Sequence, residues 1–271
     1  SEWGKKGWSH WTQNDFKKPG PNNVAFDLYP DLMEYPETYN TDLIYANGKR
    51  SKVFSQYNYS TVDTHFRWMK KYNIDIASLQ RFLISVQNPK LFEYRNQVAL
   101  NVMKASEKHN RGFHIMWDLS GIFNAFKDSR DPEEQILKAL KKDWKHIVKR
   151  LELTKSPNYV HYKGHPLICL WGIGFSGEGR VGPDITIRMI EWFKKYSKPH
   201  LRASVMLGVP WDWRERPVDK NGDPAGDSQV EDVWGHIYSL ADIISPWNVG
   251  RYKSEDTSDG TPARNTIIDH A

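Results

Sequence analysis

The sequence predicts an α/β fold, a (β/α)8 TIM-type barrel of which this chain carries only part. Three observations lead there. Five short apolar runs are each followed, after a loop, by a helical pattern. The runs are rich in Val, Ile and Leu, as strands of a helix-covered parallel sheet are. Four of the five run into a tryptophan at the C-terminal end, the end where a barrel builds its active site.

Residues 1–58 are irregular, rich in Gly, Pro, Asn and Tyr, and carry Trp3, Trp8, His10 and Trp11. They read as a rim segment within a single domain spanning 1–271, with Val24–Leu28 as a short strand or ordered loop. Ser60 is placed to cap a helix with Asp63 three residues on and Val62, Phe66 and Met69 on one face. A strand at 74–82 ends in Gln80-Arg81-Phe82, and a helix at about 92–109 follows, with Val98, Val102 and Ala105 in register. The run 113–118 reads Phe-His-Ile-Met-Trp-Asp.

Asp131, Pro132 and Glu134 open the clearest helix, whose stripe runs Ile136, Leu137, Leu140, Trp144, Ile147, Val148 and Leu151. Strand 167–171 ends on Trp171 and enters a Gly-rich loop from Gly172 to Gly182. The helix at 184–196 buries Ile187, Ile190 and Phe193. Strand 201–208 leads to Trp211, Trp213 and Arg214 and a polar excursion at 215–229. A helix at 230–240 presents Val233, Trp234 and Ile237, strand 242–246 ends the series, and a further helix begins near Pro262. Five strands fall short of a closed barrel, so the expectation is a piece of a longer chain whose first and last strands lie outside it.

Composition excludes several function classes. The net charge of +5 comes from 38 basic and 33 acidic residues, and much of the excess (Lys138, Lys141, Lys142, Lys145, Lys149, Arg150) lies on one solvated helix face. No nucleic-acid partner is expected. No run of 18 apolar residues offers a membrane span. The single cysteine, Cys169, lies in an apolar run and reads as a small core residue, so neither a disulfide nor a thiolate metal site is expected. His161 and His165 stand four apart, but Gly164 and Pro166 argue against a helix, so no metal is expected. The Gly-rich loop lacks the Lys-Ser/Thr of a phosphate loop, and Gly174-Phe175-Ser176-Gly177-Glu178 fails the nucleophile-elbow pattern at its last position. It reads as a substrate loop in which Glu178 could enter a cleft. No feature of the sequence sets an oligomeric state, and the chain starts at Ser1 without Met, as after removal of an export signal or trimming.

Twelve Trp and thirteen Tyr exceed what packing needs, and many stand in polar, turn-rich context. Indole rings at a barrel mouth suit the apolar faces of sugars, with charged groups beside them to bond hydroxyls. The candidate contacts are Trp8, His10, Trp11, Arg81, Trp117, Trp171, Trp211, Trp213, Arg214, Trp247, Arg251 and Tyr252. Asp118, at the end of a buried strand, is the candidate catalytic carboxylate, with a helix cap or a pair with arginine as its structural alternative. Arg81 has the alternative of an ion pair that braces the barrel.

The pieces Gly7-Trp8-Ser9-His10-Trp11, Leu79-Gln80-Arg81-Phe82, His114-Ile115-Met116-Trp117-Asp118, His165-Pro166-Leu167 and Ser245-Pro246-Trp247-Asn248-Val249-Gly250-Arg251-Tyr252 resemble the family 99-like and family 71-like glycoside hydrolases, the type labelled as bacterial xylosidases or arabinosidases. The resemblance implies a (β/α)8 barrel, an exported enzyme (secreted, periplasmic or on the outer cell surface) acting on glycans, and no obligatory cofactor. It also implies that the principal carboxylates lie in an Asn-Glu-Trp-type segment near the last barrel strand. No such segment is present, so they are expected beyond Ala271, with Asp118 as an accessory carboxylate. The expectation is a glycoside hydrolase; the alternative is a carbohydrate-binding protein without catalysis on the same scaffold.

Overall fold

The computed structural model describes residues 8–12 and 17–249. An antiparallel hairpin pairs β1 (Tyr39–Ile44) with β2 (Arg50–Val53). Helix α1 (Tyr59–Lys71) and β3 (Ile76–Phe82) follow, then α2 (Pro89–His109) and β4 (Gly112–Asp118). The short α3 (Ile122–Phe126) and the long α4 (Pro132–Lys149) lead to β5 (His161–Tyr162) and β6 (His165–Trp171). Helix α5 (Pro183–Glu191) continues into a π-helical turn at Trp192–Tyr196; then come β7 (Ser204–Pro210), α6 (Val233–Leu240) and β8 (Ile243–Trp247).

A six-stranded sheet runs in the order β3-β4-β6-β7-β8, with β5 paired to β6 off that path. The β4–β6, β6–β7 and β7–β8 ladders are parallel. At β3 and β4 the amide of Gly112 bonds Asp75 O at 2.8 Å near the start and Leu83 N bonds Asp118 O at 3.0 Å near the end, which is a parallel arrangement too. The five apolar runs of the sequence are thus the strands of a mostly parallel α/β sheet. No closed barrel forms among the described residues, because β3 and β8 end the order without pairing to each other. The hairpin β1–β2 lies in the stretch expected to be irregular: its alternation is polar (Tyr39-Asn40-Thr41-Asp42), so no apolar period marks it. The run Val24–Leu28 forms no strand; Val24 makes a single bridge to Thr12. The helix expected near Pro262 lies outside the described residues.

Helix starts follow local chemistry. Asn88 caps α2 by accepting from the amides of Lys90 and Leu91 at 2.9 and 3.2 Å, with Pro89 in the first turn. Asp131 accepts from Glu134 N at 2.9 Å and opens α4 as the sequence suggests. Ser60 is not a cap: it lies inside α1 and its hydroxyl donates to Glu37 at 2.7 Å. His161 and His165 sit on the two arms of a hairpin through Lys163 and Gly164, both with positive φ, so they do not share a helix face. No helix among the described residues is long and apolar enough to cross a membrane.

The described residues group into two compact units. The first takes the described residues up to 79 together with 85–113 and 147–160; the second takes 80–84, 114–146 and those from 161 on. The first unit is held by aromatic packing. Tyr35 stacks on Phe54 with ring centroids 4.1 Å apart, and Trp11 meets Phe54 edge-on and donates its indole N–H to Phe54 O at 2.8 Å. His65 stacks with Trp68 and shares a 2.8 Å hydrogen bond with the Tyr35 hydroxyl.

The second unit is organised around Asp143 on α4. Its carboxylate accepts from Arg81 Nε at 3.0 Å and Nη2 at 2.7 Å, and from the Trp117 indole N–H at 2.8 Å. Arg81, Trp117 and Asp143 are 1%, 0% and 3% exposed. Trp117 also packs against Trp144 and Phe193. Replacing Asp143 by Ala leaves a buried guanidinium without its counter-charge, and the expected loss is about 3–5 kcal/mol of unfolding free energy. Urea unfolding measures it; an unchanged midpoint in Asp143→Ala would show that the pair does not hold α4 to the sheet.

Burial holds the His65 imidazole below its ordinary value of 6.5. The unfolded chain therefore takes up a proton before the folded one does. Stability is full above about pH 6.5 and falls as pH drops toward the folded pKa. We expect the urea midpoint to fall as pH drops below about 6.5, with part of that fall absent in His65→Gln. An NMR titration placing His65 above 6.5 would contradict the assignment.

Candidate functional site

Side chains alternate across a strand, and partners in a parallel ladder share a face. Phe113, Ile115 and Trp117 on β4, Ile168 and Leu170 on β6, and Val205, Leu207 and Val209 on β7 are all fully buried on one face. The other face is covered less completely: Cys169 and Asp118 are buried, Trp171 is half-buried and Trp247 is exposed. It carries Asp118 opposite Trp171, Trp171 opposite Gly208, and Gly208 opposite Ser245, with Pro210 opposite Trp247 beyond them. Gln80, at the end of β3, joins this face: its amide donates to Asp118 Oδ2 at 2.8 Å.

Asp118 is 4% exposed, and its Oδ1 accepts from Ser120 N at 2.8 Å. It is thus both the expected strand-end carboxylate and an organiser of the turn after β4. Each carboxylate oxygen has two acceptor positions, so each keeps one for a ligand hydroxyl. Trp171 lies across β7: a Cβ on Gly208 would come within 2.2 Å of its Cδ1. Only glycine permits that approach. Trp247, 41% exposed, meets Trp171 edge-on at 5.3 Å, and Phe175 packs on Trp171 at 5.2 Å. A carboxyl acceptor and an amide beside an aromatic shelf can bond hydroxyls and cover an apolar ring face at once.

Of the candidates from sequence, the structure brings Asp118, Trp171 and Trp247 together on this face. Trp213 and Arg214 stand in the loop after β7, with the guanidinium 4.9 Å from the indole centroid. Trp213 packs edge-on against Tyr238 of α6, and Trp211 precedes it, half-buried. Arg81 and Trp117 point to the covered face and Asp143, so sugar contact by either does not follow from the structure; the bracing ion pair does. Trp8, His10 and Trp11 belong to the first unit, where Trp8 is buried and Trp11 is bonded to Phe54. Arg251 and Tyr252 lie outside the described residues. No group of His, Cys, Asp and Glu able to hold a metal occurs among the described residues.

Sequence reasoning passed over Gln80, Phe175 and Asp143. Asp143 had a signal: it falls three residues after Leu140 and four before Ile147, on the apolar stripe of α4, where a carboxylate demands a buried partner. The loop after β6 does carry Gly-x-Gly-x-x-Gly spacing from Gly172 to Gly177, yet its amides are taken. Gly172 N and Ile173 N both bond Gly208 O at 3.1 Å, and Ser176 N bonds Asp227 O at 2.7 Å. Helix α5 opens only at Pro183, so no helix N-terminus faces the glycines. Instead, Phe175 bridges Ser228 and Gln229 N bonds Gly174 O, which joins the loops after β6 and β7 into one cluster. Asp212 holds the other side of it by accepting from Asp227 N at 2.9 Å and the Ser228 hydroxyl at 2.6 Å.

Burial pushes the Cys169 thiol up to about 12, against a hydrogen bond with the Gly208 backbone and with the nearby Asp118 charge adding to the rise. It is a neutral floor residue, as the sequence suggests.

No protein-family model matches the chain, and no curated protein matches it. The chain is similar to solved structures, among them the following two. The GH99 endo-α-mannosidase from Bacteroides thetaiotaomicron, in complex with Bis-Tris-propane, is 11% identical over 58% of this chain and 41% of that one, with a TM-score of 0.39. A second structure of the GH99 endo-α-mannosidase from that organism is 11% identical over 80% of each chain, with a TM-score of 0.33. Neither is described as a xylosidase or an arabinosidase. The chain spans 41% of the length of the first structure.

Proposed function

We propose that this chain supplies the sugar-binding face of a glycoside hydrolase. One observation carries the reading: Asp118 and Trp171 end neighbouring parallel strands in register, and Trp247 stands against Trp171 with its ring reachable from solvent. In this reading Trp171 and Trp247 take the apolar face of a sugar ring, and Asp118, steadied by Gln80, accepts a hydroxyl. Hydrolysis needs two carboxylates, one of them protonated. Asp118 is the one carboxylate at the described strand ends on this face, and its role is accessory: it orients the sugar whose bond the principal pair cleaves. The site acts without a cofactor in this reading, and the protein is exported to meet its glycan.

A second reading, binding without turnover, is favoured by a specific feature. Both hydrogen bonds to Asp118 come from N–H donors, so its oxygens are used as acceptors, the part a binding group plays toward a sugar hydroxyl. The full-length protein incubated with a panel of neutral oligosaccharides and polysaccharides separates the readings. Release of reducing sugar supports the hydrolase, and binding without release supports the second.

Trp247→Ala is expected to weaken binding of whichever oligosaccharide is held by about tenfold, because a stacked ring is lost, with the urea midpoint unchanged. Unaltered affinity by titration calorimetry would remove Trp247 from the site. Asp118→Asn is expected to lower turnover by about 10²-fold while the protein stays folded. Equal rates for variant and parent would leave Asp118 a turn residue alone.

A further inference from the structure

The loop after β6 adds a feature that the reading above does not use. Phe175 packs on Trp171, and the guanidinium of Arg180 lies over the Phe175 ring, 5.5 Å from its centroid. Trp247, Trp171, Phe175 and Arg180 thus form one continuous chain of contacts that ends in a cation. Arg180 is half-buried, and among the described residues it makes neither a hydrogen bond nor an ion pair. Some surface arginines of this chain find carboxylates (Arg188 with Glu134, Arg67 with Glu34, Arg50 with Asp42), and Arg216 instead bonds the backbone oxygen of Glu231; Arg180 differs in lying over an aromatic ring of the shelf. Glu178, two residues away on the same loop, is exposed and does not pair with Arg180.

The arrangement recurs on the adjoining loop. Arg214 lies over Trp213 after β7, exposed and likewise without a carboxylate partner among the described residues. The two loops are joined by the Phe175–Ser228 bridge and by Ser176 N to Asp227 O. Stacking on an aromatic ring limits the rotamers of a guanidinium and leaves its N–H edge free. An unpaired, pre-oriented guanidinium at the end of a sugar shelf is a receptor for a planar anion.

We propose that this face selects sugars bearing an anionic substituent, a uronate carboxylate or a sulfate ester, with Arg180 as the specificity-determining contact at the Phe175 end of the Trp171–Trp247 shelf. The inference rests on the sugar-binding reading of the same face and names the substrate class for it. Asp118, the one acidic group on the described strands of this face, lies on β4, while the cation lies in the loop beyond β6. Neutral hydroxyls near Asp118 and an anion near Arg180 therefore give the sugar chain a direction.

The test is an array of neutral oligosaccharides, each printed beside its uronate and its sulfated counterpart, probed with the full-length protein and with Arg180→Gln. The expected result is an acidic member held about tenfold more tightly than its neutral counterpart, with the preference erased in Arg180→Gln. The preference should also shrink between low and high salt in the parent protein and show no such change in the variant. Equal binding of neutral and acidic members by the parent, or a preference that survives Arg180→Gln, overturns the assignment to Arg180 and leaves the sugar-binding reading intact. Binding to no member of the array overturns both.

Discussion

The covered half of the second unit depends on one carboxylate. Asp143 accepts two bonds from Arg81 and one from Trp117, and all three side chains are shut off from water. Burying such a pair costs several kcal/mol per ion unless the geometry is good and the lone pairs are filled. Here the bidentate fork and the indole N–H fill three of the roughly four acceptor positions, and the Trp144 and Phe193 rings close the site around Trp117. The network ties α4 to the ends of β3 and β4 at once. Because strands alternate, that choice of face is also a choice for the neighbours. With Arg81 and Trp117 turned toward the helix, Gln80 and Asp118 are turned away from it and meet each other on the open side.

The open face is completed by an absence of side chain rather than by a contact. Gly208 lets Trp171 lie over β7 and reach Trp247 on β8; any Cβ there would displace the ring. Asp212 plays the matching part in the loops, since a Cβ on Gly226 would stand 1.9 Å from its Oδ2. The Asp212 carboxylate is thus spent on holding residues 226–228 in place. Gly174 works the same way against Tyr238, whose hydroxyl would lie 2.0 Å from an added Cβ. The loop cluster around the strand ends is therefore fixed by close approaches at particular glycines, and its exposed tip, Gly177-Glu178-Gly179, is the part left without such contacts.

Much of the fold was legible because it is written in apolar runs. The strands of β3, β4, β6, β7 and β8 and the helices between them follow hydrophobic period and capping residues, with boundaries shifted by a few residues. The hairpin β1–β2 was not, because its strands are polar and no apolar alternation distinguishes them from loop. Residue type and strand end singled out Asp118, Trp171 and Trp247, which the structure brings onto one face, but could not foretell that Arg81 and Trp117 take the other, since that depends on one-residue parity. The partner that sets the parity, Asp143, lies 62 positions from Arg81. Gln80, a residue without a strong motif, reached the site only through that parity.

The electrostatics of the open face follow from the same alternation. Its inward residues on β6 and β7 are Cys169, Trp171, Met206 and Gly208, and the cysteine thiol stays protonated at neutral pH because burial raises it. His114, two positions below Met116 on β4, is held below 6.5 by burial, so it too is neutral there. Asp118 is then the one charge carried by the described strands of this face, and the opposite charges, Arg180 and Arg214, belong to the loops. In the proposed reading the sheet and the loops divide the work of recognition: Asp118, Gln80 and Trp171, held by strands, would seat a sugar ring, and Arg180, stacked on Phe175 in a loop, would choose its substituent.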